Sequence, residues 1–543
     1  MFDLLIQVLL LDKETTGMVS IVYTQSEILQ KEVYLVDRLE TPNRETMTHL
    51  KAICFLRPTP ENVTILCREL RKPKYGQYYI FFSNTLSSGD LERLAEADEH
   101  EVVREVQEMF GDYYAINNDL ISLNVRFPSI SSMDKWDDTA LRRSVQGFTS
   151  LLLSLKKRPL IRYQSNSNMC KKLATEMSSV MQNESSLFDF RRTDSPPLMI
   201  ILDRRDDCVT PLLNQWTYQA MVHERLGITN QRVSLAGAPG IKKDMQDMVL
   251  SSETDEFYHK NMFENFGDIG MSIKKLVDSF QEKTKSNKKI DTIADMRSFI
   301  DTYPQFRQMS SAVSKHVTVV GELSRLMDAH RLLEVSETEQ DIACQGDHSS
   351  ILTRVRQLID ADKVTDMDRA RLILLYALRF DKSNTNYMTS LVEQLKHRHL
   401  DSHYISLVRH ILTYGGYDAR QSDLFGNKSF FAFTKKTLKG LKGVQNVYTQ
   451  HEPLLIETLD LLVKGKLKDS DFPFLGPMLR DKPQDIIVMM VGGATYEEAR
   501  FVSRFNSELP GTRIILAGTH VHNAESFMEQ VMVAAEGETS IEP

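Results

Sequence analysis

The sequence predicts an α/β plus α protein, an arch of two parallel-sheet α/β domains and one large, mainly helical domain. Three observations predict it. Short apolar runs alternate with polar helical stretches through the first 125 residues and again after Arg126. Between Pro239 and Leu475 the apolar residues recur at helical spacing without β-branched strand runs. After Pro483 the strand pattern returns. At 543 residues the chain has room for about three or four domains.

In the first domain, residues 1–125, the apolar runs are 8–11, 33–36, 52–56, 78–82 and 114–116. Helical stretches separate them, the grammar of a parallel sheet with helices on its faces. The apolar start meets Asp12, Lys13 and Glu14 at once, with no basic lead and no small-residue cleavage site, so it reads as a first strand rather than a signal peptide. Arg126-Phe127-Pro128, followed by Ser129, Ser131 and Ser132, marks a boundary. The second domain opens over residues 126–238 with an apolar helix at 141–155 and strands at 160–163 and 198–202.

The helical domain spans residues 239–475. Met309, Val313, Val317, Val320, Leu323 and Met327 step by three or four and define one stripe of an amphipathic helix. A helix break is expected at Tyr303-Pro304, because proline removes a helical hydrogen bond and disfavours helix in the residue before it. The last part, 476–543, carries continuous apolar runs at 486–491 and 514–517. Two buried strands cannot cover both faces of a parallel sheet alone, so this tail is expected to return and complete the second domain.

A net charge of -8 argues against a dedicated nucleic-acid binder, which needs a concentrated positive field. The densest basic run, KTKSNKK at 283–289, reads as a solvated loop or helix end. Cys54, Cys67, Cys170, Cys208 and Cys344 are scattered and odd in number, which fits a reducing cytoplasmic compartment rather than a disulfide framework or zinc site. Asn62-Val63-Thr64 is then an unused sequon. No apolar run approaches the roughly 20 residues needed to cross a bilayer, so membrane contact is expected to be peripheral only.

Catalytic motifs are sparse. No GxxxxGK[ST], GxGxxG, GxSxG or HExxH pattern occurs. Gly492-Gly493 follows a strand and is the nearest phosphate-loop candidate, although a glycine pair at a strand-to-helix turn serves backbone geometry in any α/β fold. His520 and His522 lack partners at metal-ligand spacing and read as surface histidines. The acid and base cluster at Asp203, Arg204, Arg205, Asp206 and Asp207 lies just past a buried strand, the edge where open α/β sheets bind ligands. Its arginines supply the counter-charges a metal would otherwise bring, so internal ion pairs are the simpler reading. Thr210-Pro211 looks like a helix start. No metal, cofactor or catalysis is expected; the alternative these residues leave is a nucleotide-dependent enzyme using Gly492, Gly493 and the aspartates.

The stretch ILDRRDDCVTPLLNQWTYQAMVHERLGI, from Ile201, resembles the most characteristic segment of the SM (Sec/Munc) family of SNARE regulators. DKETTG at Asp12, YTQSEILQKEVYLV at Tyr23, SKHVTVVGELSRL at Ser314, GLKGVQNVYTQHEPLL at Gly440 and PQDIIVMMVGGATYEEA at Pro483 are similar to its endosomal and trans-Golgi branch. The resemblance covers nearly the whole chain. It implies a non-catalytic protein that binds a syntaxin-type Qa-SNARE, by an amino-terminal peptide and by its SNARE helix, and helps assemble the complex that includes the vesicle R-SNARE.

The resemblance also implies where these contacts fall. The peptide pocket maps to Leu91, Leu94, Val102, Val106 and Glu108, apolar anchoring with one acid. The SNARE-helix groove and its hinge map to Pro304, Met309, Val313, His316 and Val317. The central cleft maps to Asp12, Asp37 and Arg38, with Gly17 and Thr24 where some relatives carry basic residues. Asp203, Arg204, Asp206, Asp207 and Trp216 are expected to fix the joint between domains.

Overall fold

The computed structural model describes residues 7–536 except 131, 192–194, 288–292, 345–346, 383–384, 423, 426–446 and 479–481, with backbone alone at 244, 283–287, 293–308, 385, 386 and 536. Most of the basic run at 283–289, the start of the motif at Gly440 and the side chain of Pro304 therefore lie outside the described residues.

The first sheet is parallel throughout, in the order β2 (Val33–Arg38), β1 (Gln7–Leu11), β3 (Met47–Leu56), β4 (Tyr75–Phe82), β5 (Val103–Glu108). Alternate residues Val8 and Leu10, Ala52, Cys54 and Leu56, and Tyr78, Ile80 and Phe82 face one side. There they meet Val63, Leu66 and Leu70 of the helix Pro60–Arg71 and Leu94 and Ala97 of the helix Ser88–Ala97. The first of these helices begins where its sequence says it should. Thr59 caps it, Pro60 occupies the first turn, and Arg68 and Arg71 complement the dipole at its end.

The second sheet has seven strands, in the order β12 (Phe474–Leu475), β8 (Leu160–Tyr163), β9 (Leu198–Asp203), β13 (Asp485–Val491), β15 (Arg513–Gly518), β7 (Leu120–Ser122), β6 (Tyr114–Ala115). The five central strands are parallel and the short outer two antiparallel. β13 pairs with β9 on one side and β15 on the other, so strands far apart in sequence share the sheet centre. Met199 and Ile201 enter one apolar layer, and Leu198, Ile200 and Leu202 the other. Burial on both faces is why β9 and β13 read as continuous apolar runs.

Several expectations need correction. The run at 114–116 does not extend the first sheet, because β6 and β7 pair inside the second; the sheet boundary precedes Tyr114, not Arg126. β5 escapes the hydropathy pattern because it is an edge strand whose residues are mostly exposed. The anticipated helix at Thr210 is a single 3-10 turn, Thr210–Leu212, and the α-helix begins only at Tyr218. The turn stops because Leu213 is extended, with φ of -80° and ψ of 144°.

The helical region carries the hairpin formed by Phe266–Asn287 and Ile293–Ala329 and a bundle including Asp366–Arg379 and Ser402–Gly415. Its core also receives Phe527, Met528, Val531 and Met532 from the chain's last described helix, Ala524–Glu536. Conversely Leu455, Leu459 and Leu462 of the helix Leu454–Val463 pack on the second sheet. The break expected at Tyr303-Pro304 is absent: Ile293–Ala329 is one helix of 37 residues. Proline withholds a single amide, and the hydrogen-bond ladder resumes on either side of it. No described helix is long and apolar enough to cross a membrane.

Candidate functional site

The carboxylates of the acid and base cluster beyond β9 are each engaged by protein partners. Asp203 receives the Arg205 amide at 2.9 Å and its guanidinium at 2.7 Å. Arg204, wholly buried, pairs with Glu498 of the helix Tyr496–Glu508. Asp206 accepts from the Gln421 amide at 2.6 Å and the Ser422 hydroxyl at 2.7 Å. Asp207 accepts from the Thr210 hydroxyl at 2.6 Å and the Leu454 amide at 3.1 Å. Burial pushes the Asp206 carboxyl up. Burial acts on Asp207 too, but the charges of Arg204 and His451 with hydrogen bonds from Thr210 outweigh it and hold that carboxyl below its ordinary value.

Little space remains for a ligand. The cavity lined by Asp203, Arg204, Asp207, Leu454 and Glu498 measures about 20 Å³, room for roughly one water molecule. Gly492 and Gly493 have φ of 86° and 92°. A Cβ on Gly492 would lie 2.9 Å from Arg204 Cβ, and one on Gly493 would lie 2.2 Å from the His522 ring. The amides that would cradle a phosphate are also taken, Gly492 donating to the Thr519 hydroxyl at 3.1 Å, Gly493 to the Met490 carbonyl at 3.3 Å and Ala494 to the His520 carbonyl at 2.8 Å. His522 is not a surface histidine: it is buried, bonded to Ser526 at 2.9 Å and to the Gly492 carbonyl at 2.9 Å. Burial holds the His520 imidazole down to about 3. Among the described residues no group of three or more His, Cys, Asp or Glu is placed to hold a metal.

A second buried ionic cluster adjoins the first, and nothing in the motifs announced it. Arg371 donates to the Leu212 carbonyl at 2.8 Å and pairs with Glu339 at 2.8 Å, Glu224 at 3.2 Å and Asp368 at 3.2 Å, while Arg225 pairs with Asp368 at 2.9 Å. Its signal in the sequence is Arg371 itself, an arginine inside the apolar run ARLILLYAL. Trp216, buried, lies against Tyr448 with ring centroids 5.3 Å apart and planes tilted by 35°, and meets Phe266 edge-on. These contacts tie the end of β9 to the helical region.

The residues mapped to the peptide pocket divide. On the helix Ser88–Ala97, Leu91 is 47 % exposed and Leu94 only 3 %. Leu94 therefore packs into the core beneath the first sheet, while Leu91, one turn earlier and about 60° around the axis, stands at the exposed margin of the same face. On β5, Val106 and Glu108 are exposed, and Glu108 accepts the Leu86 amide at 2.7 Å. Val102 is half-buried.

The mapped groove also divides. Met309 and Val313 are half-buried, Val317 is 45 % exposed, and His316 is fully buried. His316 cannot meet a partner in this arrangement. The buried line of the helix instead runs through His316, Val319 and Leu323. In the mapped central cleft, Asp12 is buried, capping Lys13–Val22 and accepting from the Arg57 amide at 2.6 Å and Asn62 at 2.8 Å, a structural corner. Asp37 bonds Thr41 at 2.9 Å, and Arg38 is exposed. Gly17 is closed over by Tyr114 and Asn230, and Thr24 caps the helix Gln25–Leu29.

The family model described as the Sec1 family matches residues 7–530. The chain is 56 % identical to vacuolar protein sorting-associated protein 45 of Homo sapiens over 530 residues, 97 % of this chain and 93 % of the human one. It is 36 % identical to the Saccharomyces cerevisiae protein of that name, over 97 % and 94 % of the two chains. Among solved structures, SM protein Vps45 in complex with the Qa SNARE Tlg2 superposes with a TM-score of 0.92 at 47 % identity, covering 99 % of this chain and 95 % of that one. Sly1p in complex with an N-terminal peptide of Sed5p gives a TM-score of 0.78 at 18 % identity, over 98 % and 93 %, a likeness of fold.

Proposed function

The chain belongs to the Sec1 family, and from that premise we propose that it is an SM protein that binds a syntaxin-type Qa-SNARE and promotes SNARE complex assembly for vesicle fusion in trans-Golgi and endosomal traffic. The observation that carries the reading is the full-length likeness, at 47 % identity, to a Vps45 described in complex with the Qa SNARE Tlg2. The role is regulatory and needs no bond-making chemistry. The engaged aspartates and the occupied amides at Gly492, Gly493 and Ala494 support this against the nucleotide-dependent alternative. The protein works on the cytoplasmic side, held peripherally at the membrane, and the assembling complex it serves includes the vesicle R-SNARE.

Within this reading, Leu91, Val106 and Glu108 receive the amino-terminal peptide of the SNARE. Their exposure and their mixed apolar and acidic character suit a hydrophobic anchor beside a basic residue. The outward line of the hairpin at Val317 receives a SNARE helix, laid helix on helix. Asp37 and Arg38 lend polar character to the central cleft.

Titration of the purified protein with a peptide from the amino terminus of a trans-Golgi syntaxin tests the proposal. Saturable binding that Leu91→Arg removes, with the fold retained, is expected; unchanged binding would count against the pocket. Absence of binding by peptide and by whole syntaxin alike would sink the function.

A further inference from the structure

His316 makes no contact with solvent, and both of its ring nitrogens are engaged. Nε2 lies 3.0 Å from Asp255 Oδ2, and Nδ1 lies 2.8 Å from Tyr218 Oη. Lys315 adds a contact of 2.6 Å to the same aspartate oxygen. Asp255 is held from the other side, since its Oδ1 accepts the Tyr258 amide at 3.0 Å and caps the helix Glu256–Asn261. The Tyr258 ring lies parallel to the imidazole, 9° between planes, and the Phe257 ring centroid is 4.6 Å away. Burial pushes the Asp255 carboxyl up, but hydrogen bonds and charge from His316 and Lys315 prevail and keep it ionised. An ionised carboxylate only accepts, so Nε2 carries a proton toward Asp255, and Nδ1 shares the second hydrogen bond with the Tyr218 hydroxyl.

The adjacent residue has the opposite fate. Val317 is 45 % exposed and continues an outward line with Ser311, Ser314 and Gly321, beside which there is open space. Successive residues are turned by about 100° around a helix axis. Apolar burial makes part of the choice, through the fully buried Val319 and Leu323. Val313, Val317 and Val320 would nonetheless give a rotated helix an apolar stripe of its own. Directional polar contacts complete the choice, because exposing His316 would strand Asp255 and the Tyr218 hydroxyl inside the protein.

We infer that Asp255 and Tyr218 are positioning residues that act through His316 to set the rotation of the helix Ile293–Ala329, and so present Val317 and its outward line to a partner helix. The inference rests on the reading of that line as the SNARE-binding face. Neither residue stands out in the sequence, since each is joined to His316 only by the fold.

The rotation can be read without any SNARE. In the full chain, Val317→Cys and Val319→Cys are alkylated with a water-soluble maleimide and followed by peptide mass spectrometry. In the otherwise native protein the thiol at 317 reacts fast and that at 319 slowly. Asp255→Asn and Tyr218→Phe should each shift the ratio of the two rates toward 319 by about tenfold, the equivalent of one charge-assisted hydrogen bond, and Asp255→Glu should restore it in part. Tyr218→Phe is near-isosteric and keeps the variant set informative if Asp255→Asn folds poorly. An unchanged ratio overturns the inference, as does an equal rise at both positions, which marks local melting. Affinity of Val317→Arg for the SNARE helix is measured separately. Native affinity there would remove the contact reading while leaving the positioning claim to the alkylation ratio.

Discussion

Arg371 and Glu339 face each other 2.8 Å apart with neither side chain exposed. Burying two charges costs several kcal/mol each, which the pair recovers only because Glu224, Asp368 and the Leu212 carbonyl complete the surroundings of the guanidinium. Replacing Arg371 by methionine leaves Glu224, Glu339 and Asp368 short of counter-charge. The expected loss is about 3–5 kcal/mol, read from the urea midpoint. Arg398→Ala, which removes a pair with a 92 % exposed aspartate, should change it by less than about 1 kcal/mol.

Leu91 and Leu94, one helical turn apart, should separate binding from stability. Leu94→Ala opens a cavity beneath the helix Ser88–Ala97 and should cost about 2–5 kcal/mol. Leu91→Arg should leave thermal stability within about 0.5 kcal/mol of native while abolishing peptide binding. A thermal melt of both variants decides it, and equal destabilisation would contradict the assigned burial.

His223 makes stability depend on pH. Burial lowers its imidazole from 6.5 to about 4, with Nδ1 accepting the Ile228 amide and Nε2 facing the Val521 carbonyl. Between these values the unfolded chain binds a proton that the native protein does not. The contribution is therefore complete above pH 6.5 and is lost as pH falls toward 4, about 3 kcal/mol in all. Burial raises the carboxyls of Glu224, Glu339 and Glu498, and these act in the opposite sense. The measurement is thus the difference in denaturation slope between native protein and His223→Gln across that window, where the variant should be flatter by up to one proton.

Two glycines should respond in opposite ways to alanine. Gly493 has φ of 92° with the His522 ring 2.2 Å from the added Cβ, so Gly493→Ala should cost more than about 2 kcal/mol. Gly270 lies in the helix Phe266–Asn287 with nothing near its Cβ position. Alanine there should stabilise by up to about 1 kcal/mol. Differential scanning fluorimetry of the two single variants is sufficient.

Pro304 lies inside the helix Ile293–Ala329. Pro304→Ala returns a backbone donor and about 3 kcal/mol of helix propensity. Hydrogen exchange across residues 300–308 should slow, and SNARE assembly in a reconstituted assay should accelerate. Slower assembly would show that a bend at this position assists the reaction.

The interior strands were readable because burial on both faces leaves them continuously apolar: β9 is LMIILD and β13 is DIIVMMV. β5, VREVQE, carries charges at an open edge and shows no such pattern. The short β6 was visible as apolar, yet its sheet depends on pairing with β7, which no local pattern encodes. His522 read as a surface histidine and Asp12 as a residue of the central cleft, and only long-range partners reveal why they are buried. Leu91 and Leu94 share one helical period with the core, so periodicity alone assigns both to one face.

The sequence by itself determined the α/β plus α class, its interior strands and, through its long motifs, the family. Those rest on local hydropathy, capping and turn chemistry, each expressed within a few residues. The tertiary structure alone decided which of two adjacent residues on the long helix is buried. His316 and Val317 fit helical spacing equally well, and the choice is completed by a hydrogen bond from position 316 to Asp255, 61 residues earlier. Contacts at that separation depend on how the whole chain closes, and a hydrogen bond, unlike apolar burial, accepts only one direction.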